Sequence, residues 1–506
     1  MTSNGMKGCF VLQRRFLYLG HELAALLKEK GVVNEFCAYV QVRDGRDFLA
    51  KQKEIPYTRI ILDEDLHKAH KLERLDIPYL ERLEHDHGTL WRYIDVDRIV
   101  RLGQLIREYP HDTSPHSHEE ILRITQSYAK RIEVFLDEEK PDFIYGYLPG
   151  SLGTLLLYAM AKKRGIPVFS TIIPLTKNLV TISERYDRLT GVENLAKKHA
   201  SMPLAMVPKY AEARAFIDEF RKKPVRYSDV YVHDKNFGRV ERFSFLLPHN
   251  LTRFISWFFG AFGEWLRNSE KRGDYSTVNP FYYLLDAARR KLRNLRGVND
   301  LYDVFDSSQP YVFYPLHYEP EMSVLLFAPF DTDQIHIIKR VAQSLPVGVL
   351  LYVKEHPQMV KYRPRWYYKE LKKIPNVKLI RPELSGFELI QHASLITIIS
   401  GAAGWEAILL GKPVITFGEF FYNALSFVKH SRTPEELPKL VERQLTDSGF
   451  SEEELVRFVA ALFEDSAEVD LLHVWELERD ASEMRAALRG MADVLAKKIV
   501  LASHRG

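Results

Sequence analysis

Residues 396–418 read ITIISGAAGWEAILLGKPVITFG. An apolar, β-branched run ends at Ser400, small residues follow, and an apolar helical stretch closes at Gly411 before a second run, Pro413–Gly418. Strand, glycine turn, helix, glycine, strand is a βαβ unit, and repeated units of this kind build a parallel sheet with helices on both faces. Ligands of such open sheets bind outside the carboxyl ends of the strands. Small residues there let a ligand approach the backbone. The helix beginning near Ala402 offers unpaired N–H groups and the positive end of its dipole, which suit a phosphate. Ser400, Gly401, Ala402 and Gly404 are therefore candidate nucleotide-binding positions, with Ser400 as N-cap or as one more donor. A tight turn without a ligand explains the glycines equally well. Glu406, one turn into the helix, suits a ribose hydroxyl better than a phosphate. It also reads as a first-turn acid favoured by the dipole.

Some forty residues upstream lies VGVLLYVKEHP, 347–357. Pro357 stops the strand and biases the residue before it towards extended backbone. His356 is thus held on a stiff turn at the sheet edge, where imidazole can donate to a phosphate oxygen, although standing alone it reads better as a histidine satisfied by local backbone. Lys354 and Glu355 alternate sides, so at most one faces a ligand. Further back, YVFYPLHYEPE, 311–321, is a strand whose end carries His317, Glu319 and Glu321. The apolar run SVLLFAPF follows, then a helix over 332–343. Helices over RWYYKELKKI and GFELIQHA alternate with strands NVKLIRP and LITIIS. Residues 301–432 thus form a doubly wound α/β domain, and 433–506 read as charged helices.

The same alternation occupies residues 1–205. Strands GCFVLQ, EFCAYVQV, TRIILDED, PDFIYGY and IPVFSTII are separated by helices, one of which ends at Gly31 and another begins at a Ser117/Glu120 capping box. The loop LPGSLGT after PDFIYGY places Tyr147, Gly150 and Ser151 at a strand end, and TISERYD offers Glu184 and Asp187. For each of these carboxylates singly, a solvated loop charge is the commoner outcome. Residues 206–300 break the pattern. Lys222–Arg226 is basic, and FSFLLPHNLTRFISWFFGAFGEWLRNSEKRG, 243–273, is dense in Phe, Trp and Leu between basic residues. It is too interrupted to span a bilayer. It reads either as a helical insertion packing its aromatics locally, the favoured reading, or as an amphipathic segment at a membrane interface.

With 506 residues the chain exceeds one ordinary core. Its 71 Lys and Arg against 67 Asp and Glu leave a net charge of +4, too little excess to argue for nucleic acid. Cys9 and Cys37 stand outside any metal or disulfide spacing, which fits a reducing cytoplasm. The amino terminus lacks signal-peptide order, and no run has the roughly 18 apolar residues of a spanning helix. A cytoplasmic protein, soluble or peripheral at the inner membrane, is expected. Asp95/Asp97 and Asp331/Asp333 are DxD pairs, and His85/His87 and His116/His118 lie without partners at ligand spacing. No metal is expected.

LYVKEHP, the stretch from NVKLIRP through VITFG, and YPLHYEPE together resemble the bacterial capsule polysaccharide biosynthesis family, over roughly 311–422. That family includes the Kdo transferases that begin capsular polysaccharides on a lipid. The resemblance implies a GT-B glycosyltransferase: two Rossmann-like domains facing a cleft, the nucleotide sugar held mainly by the C-terminal one. It implies that His356 of the His356–Pro357 motif grips the donor phosphate, that Ser400 and Gly401 lie beside the nucleotide, and that no metal or other cofactor is needed. This sequence reads SGAAGWEA, where the resemblance leads one to expect Thr or Ser variants around the same glycines. The expected co-substrate is CMP-Kdo or a similar CMP-activated acidic sugar, and the acceptor a glycan or glycolipid. His317, Glu319, Glu321, Glu184 and Asp187 are the catalytic candidates. Tyr147, Gly150 and Ser151 are the acceptor-side candidates. A UDP- or GDP-sugar transferase, a UDP-sugar 2-epimerase and a non-catalytic nucleotide binder stay open. An epimerase is expected to carry an acidic pair after the glycines, and here only Glu406 follows.

Overall fold

The computed structural model describes residues 5–102, 114–176, 178–227, 248–269, 272, 274, 277, 279–360, 362–476 and 480–504, without the side chains of 248–251 and 476. The strands run β1 (Met6–Leu12), β2 (Val33–Val40), β3 (Tyr57–Leu62), β4 (Phe143–Gly146), β5 (Val168–Ile172) and β6 (Leu179–Ser183). They continue with β7 (Tyr311–Pro315), β8 (Leu350–Lys354), β9 (Val377–Ile380), β10 (Leu395–Ile398), β11 (Val414–Thr416), β12 (Lys429–His430) and β13 (Ser466–Glu468).

Two compact units hold these strands. One comprises residues 1–100, 116–231 and 453–506, the other 101–115 and 232–452. The first unit's sheet has the order β13-β6-β5-β4-β1-β2-β3. Strands β1 to β5 are parallel, whereas β6 returns antiparallel to β5 and β13 pairs antiparallel with β6. The sequence alone set 433–506 apart as helices, but 453–506 belongs to this unit. Strand β13 extends its sheet, and helix Ala481–Ser503 packs along Phe16–Glu29. Arg485 fastens that packing, 2.8 Å from both Glu22 and Glu54. Apolar residues of the C-terminal helix, Leu488, Met491 and Leu495, complete a core begun by Phe10, Leu23 and Phe36. The Ser117 capping box forms as the spacing predicts, starting helix His118–Glu139.

The second unit's sheet is parallel throughout, in the order β12-β11-β10-β7-β8-β9. Counted from β7 this is the 3-2-1-4-5-6 arrangement of doubly wound nucleotide-binding folds. The chain winds outward through β8 and β9, then returns to the other side of β7 at β10. The strand order therefore reverses between β7 and β10, and the crevice outside their carboxyl ends is where such sheets take ligands. The run Ser323–Phe330, left without an element by the sequence, supplies a short helix, Met322–Phe327, directly after the β7 loop. Both units are doubly wound α/β, and the aromatic-rich insertion is helical, with helices Pro248–Arg267 and Pro280–Arg296. Residues 228–247, which include the first part of that aromatic stretch, lie outside the described residues.

Candidate functional site

Three strand-end loops of the second unit converge at the β7–β10 reversal. The chain leaves β10 through Ser400 and turns at Gly401, whose φ of +94° is a conformation side chains rarely adopt. Gly401 is the N-cap of helix Ala402–Leu409 and, among the described residues, no side chain caps that helix, which leaves its first N–H groups for another acceptor. Tyr422 donates to the Gly401 carbonyl at 3.1 Å. A methyl group at Gly404 would lie 2.4 Å from the Tyr422 hydroxyl, so the absent side chain is what lets the helix seat against the tyrosine. Ser400 does not cap the helix, the first of its two expected roles. It is fully buried and its hydroxyl donates to the Ser323 carbonyl at 3.3 Å. Ala402 is partly exposed at the helix start, and Glu406 is partly exposed one turn on.

His317, leaving β7, stands next to this turn. Its Cε1 lies 3.9 Å from where a Gly401 side chain would begin. Its backbone is pinned on both sides. The N–H donates to Gln334 Oε1 at 2.7 Å, and the carbonyl accepts from Gln334 Nε2 at 3.3 Å and from Arg363 at 2.5 Å. Among the described residues its own Nε2 is buried without a hydrogen-bond partner. Burial first, then the nearby His356 and Arg363, lowers its pKa to about 3, so the ring is neutral at physiological pH.

His356 lies two residues beyond the end of β8 and has the extended backbone that the Pro357 argument predicts. It caps the short turn Pro357–Met359, its Nδ1 accepting from the Gln358 N–H at 3.3 Å. Accepting at Nδ1 leaves the ring proton on Nε2. The Tyr318 ring lies 5.6 Å away. Lys354 is buried at the end of the strand.

Beneath both histidines sits a group the sequence reading missed. Arg363 is fully buried, pairing with Glu355 through one guanidinium nitrogen and with Glu319 at 2.8 Å through another. Glu355 also accepts from Tyr368 at 2.7 Å and from the His356 backbone N–H at 2.6 Å. One buried cation thus ties the loop after β7 to the loop after β8. Burial works against its charge, but Glu355 and Glu319 more than offset that and hold its pKa above the ordinary value. Burial raises the Glu319 pKa in spite of Arg363. A signal for Arg363 did exist: a glutamate at the end of a buried strand needs a buried cation. Glu319 is therefore committed to an ion pair. Glu321 begins the helix after the loop and accepts from the Ser323 hydroxyl at 2.8 Å.

The lowered His317 pKa has a testable sign. An unfolded histidine takes its proton near pH 6.5 and the folded one only near 3. Between those values the unfolded chain holds a proton that the folded chain lacks, and stability falls as pH falls. The raised Glu319 pKa acts in the opposite sense, gaining stability as that carboxyl protonates. Thermal midpoints measured from pH 7 to pH 5 are expected to drop further for the natural chain than for His317→Asn. An equal drop in both would contradict the burial of a neutral His317.

The candidates of the first unit do not gather in the same way. Tyr147, Gly150 and Ser151 follow β4 at the carboxyl edge, beside the β1–β4 reversal of that sheet. The Ser151 hydroxyl is spent in a capping box with Thr154, and Tyr147 packs against Phe16 and Trp475. Gly150 is partly exposed. Glu184 and Asp187 follow β6, which runs antiparallel to β5, so they leave the sheet at its opposite edge. Asp187 pairs there with Arg185 at 2.5 Å. A sequence read as wholly parallel could not separate these two edges. Arg14, whose backbone has a φ of +42°, follows β1 and shares the β1–β4 reversal with Tyr147.

The acidic pairs have local uses. Asp97 accepts N–H groups of Ile99, Val100 and Leu152, Asp331 pairs with Arg340 and Asp333 caps helix Gln334–Ser344. His116 does have partners, its ring packing with those of His67 and His70 at 5.5 and 6.0 Å. Among the described residues no group of three or more His, Cys, Asp or Glu is placed to hold a metal ion.

Every member of the three-loop site falls within one recognisable segment. Residues 266–440 match the capsule polysaccharide biosynthesis protein family. Protein FixF of Sinorhizobium fredii is 31% identical over 130 residues, 24% of this chain and 30% of FixF. The capsule polysaccharide modification protein LipA of Neisseria meningitidis serogroup B is 30% identical over 94 residues, 19% of this chain and 13% of LipA. The chain therefore spans less than a third of the length of either curated relative. Among solved structures, a β-Kdo 2,4-transferase, KpsC of Thermosulfurimonas dismutans, aligns over 68% of this chain and 89% of its own at 16% identity and a TM-score of 0.38. The UDP-GlcNAc 2-epimerase of Methanocaldococcus jannaschii aligns over 91% and 99% at 13% identity and a TM-score of 0.26. Overall likeness at this level does not separate a transferase from an epimerase, so the functional reading rests on the family segment and the site.

Proposed function

We propose that the chain is a GT-B glycosyltransferase of capsule-like surface polysaccharide biosynthesis, with CMP-Kdo or a similar CMP-activated acidic sugar as its donor. The observation that carries this reading is the meeting of His317, His356 and the uncapped Ala402–Leu409 helix at the strand-order reversal, inside the family-matched segment. In the proposed reaction an acceptor hydroxyl attacks the anomeric carbon, the bond from that carbon to the phosphate oxygen breaks, and its electron pair leaves with CMP. The helix N–H groups and the His356 Nε2–H stabilise the charge developing on that phosphate. His317, neutral, serves as a hydrogen-bonding partner rather than a second cation. Glu321 takes the acceptor proton, because Glu319 is already bound to Arg363. A glycolipid acceptor would place the enzyme peripherally on the inner membrane surface, and no metal is assigned a step.

The test is acceptor-dependent release of CMP from CMP-Kdo by the full chain, with a Kdo-bearing glycolipid as acceptor. Release that requires both partners is expected. Release only from UDP- or GDP-sugars would overturn the acidic-sugar donor. Conversion of UDP-GlcNAc to its 2-epimer would overturn transfer itself.

A further inference from the structure

The helical insertion of the second unit is unusual for a helix in water. None of the described side chains of helix Pro248–Arg267 is buried, although the helix contains Phe254, Ile255, Trp257, Phe258, Phe259 and Phe262. Part of its apolar surface is met by helix Pro280–Arg296, where Phe281 packs edge-on to Phe258 and Phe262, and Tyr283 to Trp257. The rest faces outward, with Phe259 66% exposed, and the partner helix adds Tyr282 at 64% and Leu292 at 68%. Large apolar side chains left exposed on both helices of one hairpin are of the kind that marks an interaction surface.

Charge indicates what covers them. Residues 248–296 hold nine Lys and Arg against four Asp and Glu, a larger positive excess than the +4 of the whole chain. One of the four acids, Asp286, is buried and paired with Arg290 at 2.8 Å. Exposed Phe and Leu together with Trp and Tyr, set among arginines, match the boundary layer of an anionic bilayer, where aromatic rings sit at headgroup depth and cations meet lipid phosphates. Among the described residues no helix is long and apolar enough to cross a membrane, so a hairpin that meets a bilayer would lie along its surface. Its second helix is also braced to the candidate site. Arg293 donates to the Tyr362 carbonyl at 2.7 Å and Arg290 lies over the Tyr362 ring, one residue before Arg363.

We propose that the hairpin of helices Pro248–Arg267 and Pro280–Arg296 is a membrane-docking element that seats on the surface of an anionic phospholipid bilayer. This deepens the peripheral location proposed above and does not depend on which nucleotide sugar is used.

Flotation of the full chain with vesicles tests it. Vesicles of equal parts phosphatidylcholine and phosphatidylglycerol are expected to carry the protein up the gradient, and phosphatidylcholine alone to carry much less. Trp257→Glu with Phe259→Glu is expected to weaken binding about tenfold or more, the loss of two buried aromatic side chains. Arg253→Glu with Arg267→Glu should keep the apolar face and lose the preference for phosphatidylglycerol. Circular dichroism and nucleotide titration without vesicles show separately whether each variant is folded and whether the donor-site reading stands. No flotation, or flotation unchanged by the Trp257 and Phe259 substitutions, would overturn the proposal. So would a concentration-dependent dimer, abolished by Phe259→Glu, in a chain that ignores vesicles, since the face would then belong to a second copy.

Discussion

Arg363→Met is expected to be among the most damaging single substitutions in the second unit. The guanidinium is fully buried between Glu319 and Glu355 and also holds the His317 carbonyl. Removing one partner of a buried ionic group leaves the others charged and unpaired, which costs about 3–5 kcal/mol. At the usual size scaling that is a fall in thermal midpoint on the order of 10 °C. The damage should be electrostatic rather than a matter of lost volume. Adding Glu319→Gln and Glu355→Gln to Arg363→Met removes the stranded charges, and Tyr368 can still donate to the amide at 355. The triple variant is expected to recover most of the lost stability while the loops after β7 and β8 lose their common tie. Scanning calorimetry of the single and triple variants decides this. A single variant as stable as the natural chain, or a triple variant no better than the single, would contradict the ion-pair hub.

His356→Ala is expected to show the opposite profile: small in stability, large in binding. The imidazole is only partly buried, and the hydrogen bond it accepts from the Gln358 N–H is long at 3.3 Å. A hydrogen bond to a charged phosphate contributes about 1.5–3 kcal/mol, or roughly 10- to 100-fold in affinity. Loss of that magnitude with an unchanged thermal midpoint identifies a ligand contact. Loss of both together would make His356 a structural cap of the Pro357–Met359 turn and nothing more.

Much of this was legible in the sequence because backbone chemistry writes itself plainly. Pro357 had to stop β8, Gly401 had to allow a turn closed to other residues, and the Ser117/Glu120 spacing had to open a helix. These signals located the strand ends of the second unit and with them His317, His356 and Gly401. What escaped were relations between distant residues. Arg363 lies in an unremarkable KYRPRW stretch, and only the fold reveals that it neutralises Glu355 and Glu319. Ser400 looks like a cap in one dimension but turns inward to Ser323. Strand direction is equally silent in sequence: β6 is as apolar as its parallel neighbours, and its reversal carries Glu184 and Asp187 to the other edge of the sheet. Strand β13 is a three-residue strand between helices, too short to leave a period of its own.

We propose that the β7–β10 reversal of the second unit is a nucleotide-sugar site gripped by His356. Calorimetric titration of CMP, UDP and GDP into the purified chain and into His356→Ala tests it most directly. Selective binding of CMP by the natural chain, weakened at least about tenfold in a folded His356→Ala variant, is the predicted result. Failure of all three nucleotides to bind the natural chain, or CMP binding untouched by the substitution, would contradict it.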